Sequence, residues 1–173
     1  MDAFDAIATK LDVREFSSEK VSGEITTKVL EAARLTGSSG NSQHWRFILV
    51  QDRANLKKLA DDSISGKWVA GADFAIIVLV DPAVPGSNID AGRVIQDMEI
   101  AAWNFGVASG LYARLKEDDV RNDFAIPANL KPSVVVGFGY PKRKILGKKD
   151  RKPLDELAFG ERYGEKLGIK GSH

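Results

Sequence analysis

The sequence contains no cysteine and only two histidines, His44 and His173. The absence of cysteine excludes disulfide bonds, thiol catalysis and cysteine-ligated metals, and it is compatible with a reducing cytoplasm, where we expect the protein. Two histidines provide almost no material for an imidazole metal site or for a Ser-His-Asp triad. We therefore expect neither a metal centre nor a hydrolytic triad.

Long hydrophobic runs and an excess charge of either sign are also lacking. The longest apolar run, Phe74 to Val80, lies between Asp73 and Asp81 and is far too short to cross a bilayer. The first residues contain no long apolar stretch, so no signal peptide is expected. With 25 basic and 24 acidic residues, the net charge is +1. We therefore expect neither a nucleic acid nor a membrane as a partner.

The order of local patterns predicts one α+β domain spanning residues 1–173. An apolar content of 43% over 173 residues allows a sizeable core, and no repeat or low-complexity linker divides the chain. The patterns follow one another as helix, helix, strand, helix, strand, helix, strand, helix, strand, helix. That order alone also fits other α/β arrangements. Residues 165–173 are predicted to form a flexible tail.

The centre of the chain gives the strongest periodic signals. The continuous apolar run 74–80 predicts a strand buried on both faces. Asp90 is expected to cap a helix over 91–105 with a regular apolar stripe. Ile100 and Trp103 lie outside that stripe, so the helix must bury a second face. Another subunit could cover it, and so could the rest of the same chain.

Shorter patterns flank this centre. Phe4 and Ile7 share one face of a helix predicted within residues 1–10. Ser22 is expected to cap the helix that leads into the most polar loop of the chain. The strand predicted over 106–113 is rich in small residues, which indicates close approach of another group, either a ligand or the long helix.

The stretch from Thr36 to Trp45 concentrates hydrogen-bonding groups and backbone freedom in one loop. Gly37 and Gly40 permit positive φ angles and close backbone approach. The polar side chains between them and Trp45 offer both donors and acceptors. The composition is typical of a binding loop, although an ordinary connection between a helix and a strand has the same composition.

Basic residues are concentrated near both ends of the chain. Between Lys142 and Lys152 lie seven basic residues and one acid, and Lys10 and Arg14 carry charge near the start. A solvated surface is the simplest interpretation of each set. A short helix is expected to follow the second set, through Tyr163.

Four segments resemble the FMN-dependent nitroreductase family. Residues 38–45 match its Ser-Ser-x-Asn-x-Gln-x-Trp pattern, and residues 10–16 partly match Arg-Arg-Ser-x-Arg-x-Phe. Residues 137–141 match its Gly-x-Gly-Tyr-Pro strand ending, and residues 149–154 match Lys-x-Arg-x-Pro-Leu. Together the segments span almost the whole chain.

Four positions depart from the family pattern. Gly37 and His44 stand where the family usually has proline, and Leu11 and Asp12 replace a polar or basic residue and a serine. The first two loosen a turn without removing a ligand contact. An aspartate beside a phosphate costs Coulomb energy unless it turns away or pairs with Lys10 or Arg14.

The resemblance implies a mixed sheet flanked by helices, in a domain completed by homodimerisation. It also implies FMN as cofactor, NADH or NADPH as electron donor, and ping-pong hydride transfer through flavin N5 to a nitroaromatic, quinone or enone. No side chain is assigned as a catalytic acid or base, and the backbone N–H near Ala113 is assigned to N5. The cofactor-binding residues that the resemblance implies are Lys10, Leu11, Asp12, Arg14, Ser38, Ser39, Asn41, Lys67, Tyr112, Ala113, Lys149 and Arg151.

Two alternatives remain open from the sequence. The same fold and cofactor could support a different flavin reaction, such as dehalogenation or oxidation. A non-catalytic dimer could instead bind FMN weakly or not at all, and Leu11 and Asp12 are the residues that favour this second alternative.

Overall fold

The computed structural model describes residues 1–145 and 147–169. Its helices and strands are α1 Ala3–Thr9, α2 Gly23–Leu35, β1 Arg46–Val50, α3 Arg53–Asp61, β2 Phe74–Val80, α4 Ser87–Asn104, β3 Ala108–Tyr112, α5 Glu117–Asp123 and β4 Lys131–Gly139. This order confirms the first nine predicted elements. The tenth, a helix through Tyr163, was wrong, because only a short 3₁₀ turn forms at Leu154–Glu156. Part of the predicted tail, 170–173, lies outside the described residues.

The strands form one sheet in the order β1-β2-β4-β3. Every neighbouring pair of these strands is antiparallel, as in the pairing of Ile76 with Val136 at the centre. The parallel component of the expected mixed sheet is a single bridge between Asp12 and Ser109. The predicted α+β class is confirmed, and helices rather than short hairpins connect the strands of the sheet.

Both faces of the sheet are covered by helices. Phe74, Ile76, Val78 and Val80 pack on the face that carries α2 and α4. The residues of β2 that lie between these, Ala75, Ile77 and Leu79, pack with α3 and α5 on the other face. All seven residues of β2 are therefore buried, as the continuous apolar run predicted. Within the described residues, no helix combines the length and the apolar character needed to cross a bilayer.

The long helix α4 begins one turn earlier than predicted. Gly86, at φ 80°, occupies the N-cap position, and the helix runs from Ser87. The prediction that Asp90 is the cap was therefore wrong; this residue lies in the first turn and is buried. Its carboxylate is free to contact the loop after α2 instead.

Ser22 caps α2 as predicted, and its hydroxyl accepts a hydrogen bond from the backbone N–H of Ile25 at 3.3 Å.

The ends of α1 and α4 explain part of the second apolar face of α4. The indole N–H of Trp103 donates to Thr9 Oγ1 at 2.9 Å, so α1 of the same chain covers this end of α4. The predicted apolar face of α1 is left open, with Phe4 77% exposed.

Small residues in β3 and β4 make room for the 12–16 segment and an aromatic side chain. A Cβ added to Gly110 would lie 2.5 Å from the carbonyl oxygen of Val13 and 3.1 Å from the Trp68 ring. A Cβ at Gly137 would lie 2.9 Å from the same ring. Close approach in β3 was predicted correctly, but at Gly110 the approaching group is not α4.

Candidate functional site

A cavity of about 460 Å³ lies beside the second half of α4. It brings together the segment after α1 and the segment after β4, which are far apart in the sequence. Its lining residues are Lys10, Leu11, Asp12, Gln96, Glu99, Leu111, Lys149 and Arg151. Five of the twelve cofactor-binding residues predicted from the resemblance therefore line one cavity.

Lys10 is the most buried cation of this cavity. It follows the last residue of α1, and its side chain is 9% exposed. The Nζ atom lies 2.5 Å from Asp12 Oδ1 and 2.8 Å from Glu99 Oε1. The same Glu99 oxygen accepts a hydrogen bond from Ser109 Oγ at 2.8 Å. Of the alternatives left open for Asp12, the structure shows the pairing with Lys10, and Glu99 adds a second carboxylate.

Lys149 and Arg151 come from the segment that follows β4. Lys149 Nζ donates to the backbone carbonyl of Ile7, which attaches this segment to α1. Arg151 Nη1 donates to the carbonyl of Asp150 at 2.7 Å, and its side chain is exposed. Three lining cations face two lining carboxylates, so the cavity carries a net charge of one positive unit.

Arg14 lies apart from these cations. It lines a neighbouring cavity of about 430 Å³ together with Arg143 and Lys144. Its guanidinium carbon lies 6.0 Å from the centre of the Trp68 ring, a cation–π distance. Asp12 lines both cavities, so the backbone around this residue separates the cavity of Arg14 from the cavity of Lys10.

The loop between α2 and β1 has an unusual backbone. Gly40, Asn41 and Gln43 all have positive φ angles, of 58°, 54° and 46°. Ser38 Oγ accepts from the backbone N–H of Gln43 at 2.9 Å, and the Gln43 amide donates to Asn41 Oδ1 at 3.2 Å. The side chains of Ser39 and Asn41 remain exposed. Positive φ angles are uncommon for residues other than glycine, so these hydrogen bonds hold the loop in a backbone conformation that Asn41 and Gln43 rarely adopt. The exposed polar side chains therefore stand on a fixed backbone.

The first half of α4 fixes this loop. Asp90 Oδ2 accepts from the backbone N–H of Ser39 at 2.9 Å and lies 3.4 Å from His44 Nε2. The hydrogen bond from Ser39 lowers the pKa of Asp90, and His44 and Arg93 lower it further. Thr36 Oγ1 donates to Asp97 Oδ2 at 2.6 Å. His44 is buried, and its Nδ1 atom has no hydrogen-bond partner among the described residues.

The loop and the cavity lie on different sides of α4. Asp90 and Glu99 are nine positions apart, which is about two and a half helical turns and places them on opposite sides. Ser38, Ser39 and Asn41 accordingly do not line the cavity. Within one chain, the structure keeps these two groups of predicted residues apart.

The remaining predicted residues lie near the end of β3. The backbone N–H of Ile64 donates to Arg114 O at 2.9 Å, which places the loop containing Lys67 beside Ala113. Lys67 Nζ lies 3.9 Å from Asp61 Oδ1 and is exposed. Ala113 is also exposed and lines a separate cavity of about 270 Å³.

Tyr112 points to the opposite face of the sheet from Leu111. Its hydroxyl donates to the carbonyl of Leu59 at 3.1 Å, and burial raises its pKa above the ordinary value. A Cβ at Gly66 would lie 2.4 Å from the Tyr112 ring, so the ring is packed under the loop that precedes Lys67. Only the backbone of Tyr112 is available to a ligand on the α4 face.

Gln96, Glu99 and Ser109 belong to the site but were not predicted. Glu99 follows Met98 and lies one turn from Ile95 and Ala102, three buried apolar residues of α4. A charged residue inside the apolar arc of a helix needs a buried partner, and that signal was available in the sequence. The sequence did not indicate that Lys10 is this partner.

Comparison with known proteins identifies the class of this protein. Residues 7–83 match the sequence model described as the Nitroreductase family. Over 145 residues, the chain is 34% identical to an Archaeoglobus fulgidus protein provisionally named NADH dehydrogenase/NAD(P)H nitroreductase, covering 79% of this chain and 83% of that protein. The chain therefore belongs to the nitroreductase family, a class of oxidoreductases.

Solved structures of similar proteins have the same fold. A Bacteroides thetaiotaomicron protein with the same provisional name superimposes with a TM-score of 0.86 at 27% identity, covering 92% of this chain and 98% of that chain. A Clostridium difficile protein named FMN-dependent nitroreductase superimposes with a TM-score of 0.86 at 19% identity, covering 92% and 99%. The second similarity shows the fold alone.

Proposed function

We propose that this protein is an FMN-dependent oxidoreductase that transfers a hydride from NADH or NADPH to a nitroaromatic, quinone or enone acceptor. The observation that carries the proposal is the convergence of Lys10, Lys149 and Arg151 on one cavity next to Leu111. Membership of the nitroreductase family and the similarity to a protein named for FMN support the choice of cofactor.

The cavity fits a phosphorylated flavin in size and in most of its chemistry. Its volume of about 460 Å³ falls in the range usual for ligand pockets. Arg151 can hold a phosphate through two parallel hydrogen bonds, and Lys149 adds a mobile point charge. Leu111 offers an apolar surface for a ring. The carboxylates of Asp12 and Glu99 oppose the phosphate and are the part that fits least.

The bound FMN would supply the hydride chemistry at N5, so the protein needs to position groups rather than provide a nucleophile. The backbone N–H near Ala113 lies at the accessible end of β3, where it can orient a ring nitrogen. Lys67, on the adjacent loop, can stabilise negative charge at N1 once its ammonium group turns from Asp61. Because donor and acceptor would use the same pocket in turn, we expect ping-pong kinetics.

We further propose that two copies of the chain complete the site. The 38–43 loop is fixed on the side of α4 away from the cavity, so it is available to a ligand held by a second copy. Phe4 and Ile89 are 77% and 73% exposed, so both large apolar side chains are open to contact with a second copy. A homodimer would cover such residues and supply the loop together.

The first experiment is a visible absorption spectrum. The purified protein is incubated with excess FMN, desalted, and then mixed with NADH or NADPH. We expect retained flavin bands that bleach with at least one donor. Arg151→Ala should lose most of the retained flavin, whereas Lys152→Ala, a neighbouring cation that does not line the cavity, should retain it. Equal retention by the two variants would contradict the proposed phosphate site.

A second candidate function is a dimer that binds FMN weakly and has no flavin chemistry. The contact of Lys10 with two carboxylates favours it. In that case the desalted protein would be colourless, and no reduction of a nitroaromatic or quinone would accompany NADH or NADPH oxidation.

For the first candidate, the oxidoreductase, initial rates over a grid of donor and acceptor concentrations should give parallel reciprocal plots. Intersecting plots would contradict the shared pocket.

A further inference from the structure

We infer that the Asp12 carboxylate competes with a ligand phosphate for Lys10, and that it thereby sets the preference of the cavity between phosphorylated and unphosphorylated flavins. The inference rests on the proposed function, because it concerns which flavin the cavity holds. It starts from the shortest ion pair of the cavity, in which Lys10 Nζ lies 2.5 Å from Asp12 Oδ1.

The two carboxylates on Lys10 differ in how firmly they are held. The Glu99 side chain is 4% exposed, and its Oε1 atom contacts both Lys10 and Ser109 at 2.8 Å. The Asp12 side chain is 60% exposed, and Lys10 is the only hydrogen-bond or ion-pair partner of its carboxylate among the described residues. Glu99 is therefore a fixed part of the cavity, whereas Asp12 can rotate into solvent at small cost.

The position of Asp12 matches the chemistry of a phosphate. Its carboxylate presents oxygen acceptors to a lysine ammonium, which is what one edge of a phosphate monoester would present. A phosphate that reaches Lys10 must displace Asp12 or lie beside it at a Coulomb cost. An unphosphorylated flavin has no such conflict, because its ribityl hydroxyl groups can donate to the same carboxylate.

Removing the charge of Asp12 should therefore change affinity for one flavin and not for the other. The experiment measures dissociation constants of FMN and riboflavin by quenching of flavin fluorescence, for the wild-type chain, Asp12→Asn and Asp12→Ser at one ionic strength. We expect both variants to bind FMN at least about tenfold more tightly than the wild type. Riboflavin affinity should stay within about twofold. The ratio of the two constants is the quantity that tests the inference.

A matched control separates a local contact from a general change in charge. Glu24→Gln also removes a carboxylate from a lysine, at 2.7 Å from Lys28 Nζ, and it lies outside the cavity. Its ratio of FMN to riboflavin affinity should equal that of the wild type. Two substitutions at Asp12 keep the test valid if one of them fails to fold, as judged by thermal unfolding.

The outcomes distinguish this inference from the proposed function. If the wild type binds flavin and the ratio is unchanged in both Asp12 variants, the inference is overturned while the function stands. If no variant binds either flavin, the function fails, and inorganic phosphate becomes the probe, followed by ³¹P NMR. Phosphate binding gained by Asp12→Asn and absent from Glu24→Gln would still support the competition, and no gain would overturn it.

Discussion

Asp90 and Glu99 lie on the same helix and are equally buried, at 3% exposed, but they act on opposite sides of it. Asp90 accepts from the backbone N–H of Ser39, so its charge fixes the shape of a loop. Glu99 forms an ion pair with Lys10 and accepts a hydrogen bond from Ser109, so its charge neutralises a cation of the cavity. A buried carboxylate that pairs with backbone leaves the binding capacity of a site intact. One that pairs with a cation reduces it.

The largest effect is expected from truncating the cavity carboxylate. Glu99→Ala leaves Lys10 buried with Asp12 as its remaining partner, and we expect a loss of about 3 kcal/mol in the free energy of unfolding. Urea denaturation at neutral pH measures this loss. Glu24→Ala, which breaks an exposed pair, should change stability little. Equal effects of the two substitutions would mean that the Lys10 cluster is no more stabilising than a surface pair.

A smaller loss is expected at the loop. Asp90→Ala removes the acceptor for the Ser39 N–H and the polar neighbour of the buried His44 ring, so both groups lose a partner that fixes the loop. Amide hydrogen exchange should rise in residues 37–44 and stay unchanged around Lys10. Faster exchange in both regions would contradict the separation of the two sides of α4.

A gain in stability is expected where a buried carboxylate has no partner. Asp62 is 8% exposed, and its Oδ2 atom has no hydrogen-bond partner in residues 1–145 or 147–169. Burial, together with Asp123 and Asp119, raises its pKa. Asp62→Asn should therefore stabilise the protein by about 1 kcal/mol at neutral pH.

The pH dependence of Asp62→Asn provides the check. A folded-state pKa above the unfolded value means that the cost of the charged form exists at neutral pH and disappears as the pH falls through both values. The gain should thus vanish in acid. Asp61→Asn is the matched control: Lys57 lowers the pKa of Asp61, so the neighbouring substitution should bring no gain. Stabilisation by both variants would indicate only a general relief of negative charge.

The smallest effect is expected from titrating Asp90. Its pKa is lowered in the folded state, so its contribution is present above the unfolded value and is lost as the pH falls through the folded one. The stability difference between the wild type and Asp90→Asn should therefore be constant near neutral pH and shrink below about pH 4. A difference that persists unchanged to lower pH would show that geometry, and not charge, accounts for the effect.

Local signals in the sequence predicted most of the fold. The apolar run of β2 indicated a strand covered on both faces, and Ser22 indicated the start of α2. Asp90 was misinterpreted because a cap and a first-turn carboxylate look alike in sequence. Capping depends on the backbone, and the left-handed conformation of Gly86 moved the start of the helix.

Much less of the candidate site could be predicted. The pairing of Lys10 with Asp12 is local and was among the expected alternatives. The contact of Lys10 with Glu99 depends on how α1 packs against α4, which no periodicity reveals. Tyr112 shows the same limit, since its neighbour Leu111 lines the cavity while its own ring is buried on the other face.

The cavity also imposes an order on synthesis. All four strands of the sheet are complete once β4 has been made, whereas Lys149 and Arg151 follow it in the chain. While these residues are still inside the ribosome, the emerged part already contains Lys10 and both of its carboxylate partners, Asp12 and Glu99. The nascent protein can therefore fold its core with a neutralised lysine, and it becomes able to hold an anion only after the sheet is finished.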